Sequence, residues 1–415
     1  MFWQKLIAIN LMNISITNNV KLTGNGSTGR RAGVGTIRPA SQRGARVNAV
    51  RCCLFSAAAA LTLSHSAIAD PDDQSQQILP FQTITASTIP ANGDVNPYGV
   101  SFVPRTFPGG GLLSPGDILV SNFNNAANIQ GTGTTIVKIA PSGQQSLFFQ
   151  GTPPLGLSTG LAVLKAGFVL VANCPTNNLP PVPGALPGSL LLIDRNGNLV
   201  NTIVSPFIQG PWDFTVFDQG NRVVVFVSNV LTGTVSRLVL LLNGGNVAVR
   251  TAEVIADGYT HRPDPAAFEV GPTGLAYDPQ RDTLYVASTG DNAIFAVRNA
   301  NEVRPSRGRG QLITADPVHL HGALAMVLAP NGHLLVSNSD GINPNPGEPS
   351  EIVEFGPHGR FFGQLSVDPN PGGAFGLNIV AVSDDVARFA AVDDNANTLT
   401  IWTVNQPEVF DSDGF

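Results

Sequence analysis

One short sequence unit recurs six times along the chain, and this recurrence constrains the fold more than any other feature. The first part of each unit is a small or turn residue followed by a short apolar strand, as in residues 274–277 (GLAY). The second part is a strand rich in β-formers that closes on Asn or Ser, as in residues 284–288 (LYVAS). The six copies start 49 to 61 residues apart, at positions 99, 160, 213, 274, 323 and 376. Such a period indicates an array of equivalent supersecondary units.

Each copy continues with a third strand and usually with a short fourth strand, as after residues 136–139 and 190–193. Four strands in a repeat of roughly 40–50 residues are the signature of a propeller blade, and the excess length here is loop. We therefore predict an all-β fold, a six-bladed β-propeller of four-stranded antiparallel blades, over residues 95–404. Residues 70–94 form an N-terminal segment, in which 78–86 could pair with 399–404 to complete the last blade. Residues 405–415 form a C-terminal tail.

The first 69 residues have the character of a targeting segment. They contain eight basic residues and no Asp or Glu, and an apolar run at residues 52–63 is followed by Ala67-Ile68-Ala69. This order is typical of a signal peptide, which predicts cleavage before Asp70 and export to the periplasm or the extracellular space. About 40 mostly polar residues upstream of Arg43 suggest a translation start placed too early. An organelle transit peptide is the alternative, and a twin-arginine signal has less support because Arg30-Arg31 lies far from the apolar run.

The charge of the mature chain excludes several classes of partner. Without residues 1–69 the chain has 15 basic and 29 acidic residues, a net charge of −14. Such a chain repels phosphate backbones and anionic lipids, so we expect no nucleic-acid partner. No apolar stretch approaches the roughly 20 residues of a membrane span, so no transmembrane anchor is expected in the mature chain. Cys174 is its one cysteine, which excludes an internal disulfide and a four-cysteine zinc site.

Strand connectivity predicts where a site would lie. The second strand of a blade runs antiparallel to the first, so the start of the first strand lies beside the end of the second. The residues at these strand starts and strand ends therefore surround one mouth of the central channel. The longest insertions, at residues 124–133, 175–188 and 340–350, follow the same strand ends, and loops of this kind often carry function. The candidate binding residues at the mouth are Tyr98, Asn122, Thr159, Asn173, Asp213, Asn229, Thr273, His321, Asn338 and Phe375, joined by Ser288 and Asp393 at the other strand ends.

Asp213 and His321 are the candidate metal ligands. Asp213 is a carboxylate at a position where the other copies have Gly or Ala. His321 and His319 could lie on one face of an extended segment, and His261 is expected on the same side of the propeller. The alternative for the asparagines is structural, because such side chains often bond neighbouring backbone. For the histidines the alternative is a solvated loop.

The copy at residues 271–278 (GPTGLAYD) and 284–294 (LYVASTGDNAI) resembles the blades of NHL-type six-bladed propellers. Those blades carry Gly-Leu/Ile-Ala-hydrophobic, then Leu-Tyr-Val-Ala/Ser-Asp/Asn and Asn-x-Ile, and the resemblance covers about residues 95–404. The senescence-marker/gluconolactonase group is similar in blade number and holds a divalent ion through Glu, Asn and Asp. On that resemblance Asp213 and either Asn173 or Asn229 match ligand positions, whereas Tyr98 stands where the group has Glu. Amidating lyases of similar fold use several histidines at the mouth.

Three functions follow from these observations. The first is an exported binding module whose mouth takes a small molecule, a carbohydrate or a protein. The alternative is a divalent-metal-dependent hydrolase or lyase of the gluconolactonase-like type. The second alternative is a structural scaffold of the cell envelope, which would use only the rim. The sequence contains no G-x-S-x-G elbow, P-loop or H-E-x-x-H motif, so those chemistries lack support.

Overall fold

The structure is a computed structural model, and it describes residues 82–176, 185–264, 267–302, 308–384 and 386–405. These residues belong to a compact unit that spans Ala67–Phe415. The predicted signal peptide and its cleavage site lie outside the described residues, as does the C-terminal tail from residue 406. The described residues contain no helix, and therefore none with the length and apolarity that would let it cross a membrane.

Six four-stranded antiparallel sheets confirm the predicted six-bladed propeller. Blades 1 to 5 each use four consecutive strands, in the order inner to outer. The strands of blades 1 to 3 are β2 Val95–Phe102, β3 Ile118–Asn124, β4 Thr135–Ile139, β5 Gln145–Gln150, β6 Leu157–Val163, β7 Phe168–Asn173, β8 Ser189–Asp194, β9 Leu199–Ile203, β10 Pro211–Asp218, β11 Arg222–Asn229, β12 Thr234–Asn243 and β13 Asn246–Ala256.

Blades 4 and 5 follow the same order, and blade 6 is completed from the other end of the described chain. Their strands are β16 Pro272–Asp278, β17 Thr283–Ser288, β18 Ala293–Arg298, β19 Gln311–Thr314, β20 Ala323–Leu328, β21 Leu334–Asn338, β22 Glu351–Phe355, β23 Phe361–Ser366, β24 Ala374–Ser383, β25 Val386–Asp393 and β26 Thr398–Asn405. The outer strand of blade 6 is β1, Gln82–Ser87, which pairs antiparallel with β26 in the register Ala86↔Leu399. This pairing closes the ring and covers a sheet edge that would otherwise be exposed.

A short hairpin interrupts the regular order between blades 3 and 4. It consists of β14 Arg262–Asp264 and β15 Phe268–Val270, which pair only with each other. The sequence repeat does not predict this element, because three-residue strands carry no detectable alternation of polar and apolar residues. The hairpin places Phe268 in a buried cluster with Tyr98, Phe123 and Trp212.

The core lies between neighbouring blades, where inner strands that are apolar on both faces pack against each other. Phe226, Phe355 and Phe389 are among the largest fully buried side chains. Adjacent inner strands approach so closely that a Cβ atom at Gly376 would overlap the Tyr98 carbonyl oxygen. The recurring glycine of the repeat is therefore a packing requirement, since it lets blade 6 approach blade 1.

Candidate functional site

The start of each inner strand lies opposite the polar residue at the end of the second strand, as the connectivity predicts. Pro97, the third residue of β2, pairs with Asn122, and the first residue of each other inner strand pairs with an Asn, Ser or Asp, as Pro211 does with Asn229. Each inner strand then has a register irregularity within its first residues. Bulges of this kind re-aim side chains and are common next to functional sites.

The asparagines at the strand ends tie the loops of their own blades together. Asn173 accepts a hydrogen bond from the Gly156 backbone N–H (2.9 Å) and donates to the Ser189 hydroxyl (3.2 Å). Asn229 accepts from the Gln209 N–H and donates to the Thr234 and Ser236 hydroxyls. Asn122 likewise donates to the Thr88 carbonyl and the Thr135 hydroxyl. These amides hold backbone at the mouth, and a role in ligand binding stays a prediction for them.

Asp213 joins two blades. Its Oδ1 accepts from the Phe214 N–H (2.7 Å) and its Oδ2 from the Leu275 N–H of blade 4 (3.1 Å). Burial raises the pKa of Asp213 to about 7, although both N–H groups lower it. Both carboxylate oxygens are thus engaged with backbone. Thr273 forms a similar connection, since its hydroxyl donates to the Ala323 carbonyl of blade 5.

Five aromatic rings close the channel mouth, and we call this group the aromatic plug: Tyr98, Phe123, Trp212, Phe268 and Phe375. Tyr98 lies 5.7 Å from Trp212 and 4.8 Å from Phe375, measured between ring centroids. Leu324, Cys174 and Val230 pack against the same rings. The rings come from blades 1, 3 and 6 and from the β14–β15 hairpin, so the plug lies on the axis of the propeller. The mouth is therefore apolar at its centre.

Phe268 enters the plug in an uncommon backbone conformation. Its φ is 66°, and the Glu269 N–H donates to the Ala267 carbonyl across it (2.8 Å). This is a γ-turn of the positive-φ kind, which is rare and strained for a residue with a Cβ atom. Burial, and to a smaller extent the nearby Asp264, raises the pKa of the adjacent Glu269 to about 7. The surrounding packing holds a strained residue in place, which is most often seen at functional sites.

A cluster of His321, Asp340 and Glu351 lies on the same face, in blade 5. One ligand atom from each of the three buried residues lies within 4.8 Å of the other two. The Nδ1 atom of His321 is 3.4 Å from Glu351 Oε2. Asp340 Oδ2 accepts from the backbone N–H groups of Ser350 (3.0 Å) and Gly372 (2.9 Å), which fixes the carboxylate between blades 5 and 6. We call this cluster the triad.

Two carboxylate oxygens of the triad have no hydrogen-bond partner among the described residues. They are Asp340 Oδ1 and Glu351 Oε1, and both are buried. Burial raises the pKa of both carboxyls, while the imidazole of His321 opposes this rise. A buried carboxylate oxygen without a partner is costly, and a cation is one way to satisfy it. The triad therefore has the donor chemistry of a metal centre.

Asn338 holds the triad in position. Its Oδ1 accepts from the His321 backbone N–H (3.0 Å), and its Nδ2 donates to Glu351 Oε2 (3.4 Å) and to the His319 carbonyl (2.8 Å). Asn338 is fully buried, so these contacts are shielded from water. The amide therefore fixes both the backbone that carries the imidazole and one carboxylate.

The structure groups the predicted site residues differently from the sequence hypothesis. His321 belongs to the triad, but Asp213 does not. His319 bonds Asp316 (Nδ1 to Oδ2, 2.5 Å) and stacks on a phenylalanine ring, while His261 is exposed. Thr159 lies in β6, but its side chain is outside what the structure describes. Ser288 donates to Asp291 within its own turn.

Asp340 and Glu351 are the members of the triad that sequence reasoning missed. A signal for Glu351 was present in the repeat. In blades 1 to 3 the asparagine amide donates to a hydroxyl, that of Thr135, Ser189 or Thr234, and in blade 5 the corresponding partner is Glu351. Asp340 heads the predicted insertion at residues 340–350. The departure of one copy from the pattern of the others is thus the informative feature.

A surface cavity of about 280 Å³ lies elsewhere, between the outer strands of blades 3 and 4. Ile255, Arg298 and Gln311 are among the residues that line it. No member of the triad or of the aromatic plug contributes to its walls.

Comparison of the sequence with protein-family models and with curated proteins finds no match. Solved structures do resemble the chain. A gluconolactonase from Xanthomonas campestris aligns with 14% identity and a TM-score of 0.49, over 80% of this chain and 96% of that chain. Regucalcin, a calcium-binding protein from Agrobacterium tumefaciens, aligns with 14% identity and a TM-score of 0.47, over 78% of this chain and 95% of that chain.

A glucose dehydrogenase aligns with 12% identity and a TM-score of 0.45, over 78% of this chain and 99% of that chain. The names of these structures describe different functions, and their sequence identity to this chain is low. The NHL-type resemblance stays an expectation. A function has to be argued from the site itself.

Proposed function

We propose that the protein is a divalent-metal-dependent enzyme, a hydrolase or a lyase, whose ion is held by His321, Asp340 and Glu351. The observation that carries this proposal is the pair of buried carboxylate oxygens without partners beside a buried imidazole. Burying two carboxylates side by side is unfavourable unless a positive charge compensates them. A cation at the triad would supply that charge and satisfy both oxygens at once.

The donor set favours particular ions. One imidazole nitrogen and two carboxylates suit Zn²⁺ or Mn²⁺ better than Ca²⁺ or Mg²⁺, which prefer oxygen ligands throughout. Metal–ligand bonds of about 2.1 Å bring donor atoms to roughly 4 Å of each other or less. The three donor atoms lie within 4.8 Å of one another, so the side chains would have to move several tenths of an ångström towards each other to bind the ion. Asn338 would keep the imidazole and Glu351 aligned during that closure.

The number of ligands favours a catalytic over a purely structural ion. Structural zinc sites are closed by four protein ligands, whereas catalytic sites use three and leave a position for water or substrate. The triad supplies three. A bound divalent ion supplies Lewis-acid chemistry, polarising a carbonyl or lowering the pKa of a water molecule. The protein fixes the geometry through Asn338 and through the two N–H groups that hold Asp340. We also propose, from the N-terminal segment, that the enzyme acts after export.

Elemental analysis by mass spectrometry tests the proposal on protein purified without chelator. We expect about one Zn²⁺ or Mn²⁺ per chain in the parent protein and a loss of most of it in Glu351→Gln, which keeps the size of the side chain but removes its charge. Lactone, ester and lyase substrates are then assayed before and after chelation, with activity expected to return when the ion is restored.

Asp213→Asn is the matched control, because it is also a buried carboxyl-to-amide change at the mouth. Both oxygens of Asp213 accept backbone N–H groups, so this variant should retain the ion. The proposal fails if the parent protein takes up no divalent ion even after incubation with Zn²⁺ and Mn²⁺. It also fails if Glu351→Gln retains its ion while Asp213→Asn loses it.

A further inference from the structure

We infer that the aromatic plug is a ligand site for a small molecule that combines an aromatic ring with a hydrogen-bond acceptor such as a carbonyl oxygen. In the structure the ring of Phe268 fills this site from within the chain. The centroid of the Phe268 ring lies 5.7 Å from that of Phe123 and 6.2 Å from that of Trp212, and it is nearly parallel to the indole, at 30°. A ligand ring in the same place would make the same contacts.

The polar part of the inference rests on Trp212. Trp212 is only 2% exposed, and its Nε1–H has no hydrogen-bond partner in the part of the chain that the structure describes. Buried indole N–H groups usually find an acceptor, because leaving the donor unpaired costs free energy. None of the described protein atoms accepts a hydrogen bond from this donor. A ligand carbonyl would supply an acceptor.

The position of Phe268 makes displacement feasible. The β14–β15 hairpin pairs only with itself and contributes nothing to the hydrogen-bond ladders of the blades. Phe268, the hairpin residue in the plug, has a φ of 66°, a conformation that is unfavourable for phenylalanine. Withdrawal of Phe268 would therefore relieve backbone strain and leave all six blades intact. The ring acts as an internal competitor for the site.

The plug also adjoins the triad. A methyl group placed on Gly341, the residue after Asp340, would lie 4.0 Å from the Cβ atom of Ala267, the residue before Phe268. A ligand that replaced the hairpin at the mouth would thus lie beside Asp340. Contact between the ligand carbonyl and the ion rests on the proposed function. Binding of the ligand ring in the plug does not depend on it.

Two matched probes test the site, 4-fluoroacetophenone and 1-ethyl-4-fluorobenzene, which differ in the carbonyl oxygen. Binding to the full chain is followed by ¹⁹F NMR in the presence of chelator, so that the result is independent of the ion. Phe268→Gly removes the competing ring and suits the positive φ. We expect it to bind both probes about tenfold more tightly than the parent protein, because the internal competitor is gone.

Trp212→Phe in the Phe268→Gly background separates the two parts of the inference. It keeps an aromatic face and breaks no hydrogen bond, since Nε1 has none. We expect the affinity for the ketone to fall about fivefold and that for the hydrocarbon to change by less than twofold. Equal losses for both probes would overturn the assignment of the N–H donor.

Absence of binding by a folded Phe268→Gly protein would overturn the whole inference and leave the metal proposal untouched. If that variant does not fold, the indole N–H resonances of the parent protein decide. A saturable shift of one resonance with millimolar ketone, missing in Trp212→Phe, supports the site. No shift overturns it.

Discussion

The Oδ2 atom of Asp213 accepts a hydrogen bond of 3.1 Å from the Leu275 backbone N–H, and this bond joins the inner strands of blades 3 and 4. One blade earlier the same position is Gly160, where an added Cβ atom would lie 2.9 Å from the Phe214 backbone nitrogen. The repeat thus uses two solutions at equivalent junctions. Where glycine lets backbones approach directly, blade 3 places a carboxylate between them.

This carboxylate should make stability depend on pH. The pKa of Asp213 is raised to about 7 in the folded protein, mainly by burial, against roughly 3.9 in an unfolded chain. Between these values the folded state keeps a proton that the unfolded state releases. The free energy of unfolding therefore receives its full contribution below about pH 4 and loses it as the pH rises towards 7.

Asp213→Asn should remove that dependence, because its amide stays neutral. The amide NH₂ cannot accept the backbone N–H that one carboxylate oxygen accepts, so the variant should lose about 1 to 3 kcal/mol at every pH. On top of that constant loss, we expect its stability relative to the parent protein to rise by up to about 4 kcal/mol between pH 4 and pH 7.5, in urea unfolding at matched ionic strength. Parallel pH curves for the two proteins would show that Asp213 is ionised in the fold throughout.

Gly376→Ala should disrupt the junction that closes the ring between blades 6 and 1. The new Cβ atom would overlap the Tyr98 carbonyl oxygen, and backbone cannot move aside as a flexible side chain can. We expect a loss of about 3 kcal/mol or more in the free energy of unfolding. Gly109→Ala is the control, since its Cβ atom would meet nothing within 4 Å and should change stability by less than about 0.5 kcal/mol. Similar losses for both would contradict the packing argument.

The number of blades and the strand ends at the mouth could be predicted from the sequence because they repeat. Apolar strands closed by Asn or Ser recur with the same register, so one copy interprets the others. Even the pairing of Pro97 with Asn122 follows from that pattern. Features shared by six copies leave a clear signal in a single sequence.

The site could be predicted only in part, because its chemistry lies where copies differ. His321 was identifiable as a residue at a strand start, but its partners depend on how the insertion at residues 340–350 folds back. Two backbone N–H groups hold the Asp340 carboxylate in the triad, and no sequence pattern predicts these hydrogen bonds. Phe268 lies in a three-residue strand with a positive φ, which local propensity disfavours. Tertiary packing decides both.

Arg237, which is buried, forms an ion pair with the half-buried Glu253, and the disruption of this pair should be measurable. Arg237 is 3% exposed in its side chain, lies 2.7 Å from Glu253 Oε1 and also donates to the Asn301 carbonyl. We expect Arg237→Met to cost about 3 kcal/mol, because it leaves the partners of a buried charge unpaired. The double variant Arg237→Met/Glu253→Gln should cost less than the sum of its single changes. Additive losses in a double-mutant cycle would mean that the pair contributes no coupling.

Export predicts a defined mature N-terminus. If the segment before Asp70 is a signal peptide, the protein recovered from outside the cytoplasm should start at Asp70, because cleavage follows the Ala67-Ile68-Ala69 pattern. Intact mass and N-terminal sequencing of the secreted protein measure this directly. Ala69→Pro should block processing and leave the precursor, whereas Ala59→Val in the apolar run should not. Recovery of the unprocessed chain from the cytoplasm would exclude this route.

Removal of the ion should loosen the insertion that the triad anchors. Asp340 and Glu351 flank this segment at its two ends, and an ion shared by both would hold those ends together. Amide hydrogen exchange of residues 341–350 measures the order of the insertion. We expect chelation to speed exchange in this segment by about tenfold, because the carboxylates at the two ends then repel each other. Restored Zn²⁺ or Mn²⁺ should slow it again. In Glu351→Gln the exchange should be equally fast with and without chelator, while Asp213→Asn should respond as the parent protein does. A parent protein that carries a stoichiometric ion but exchanges equally fast in both conditions would show that the ion does not order the insertion.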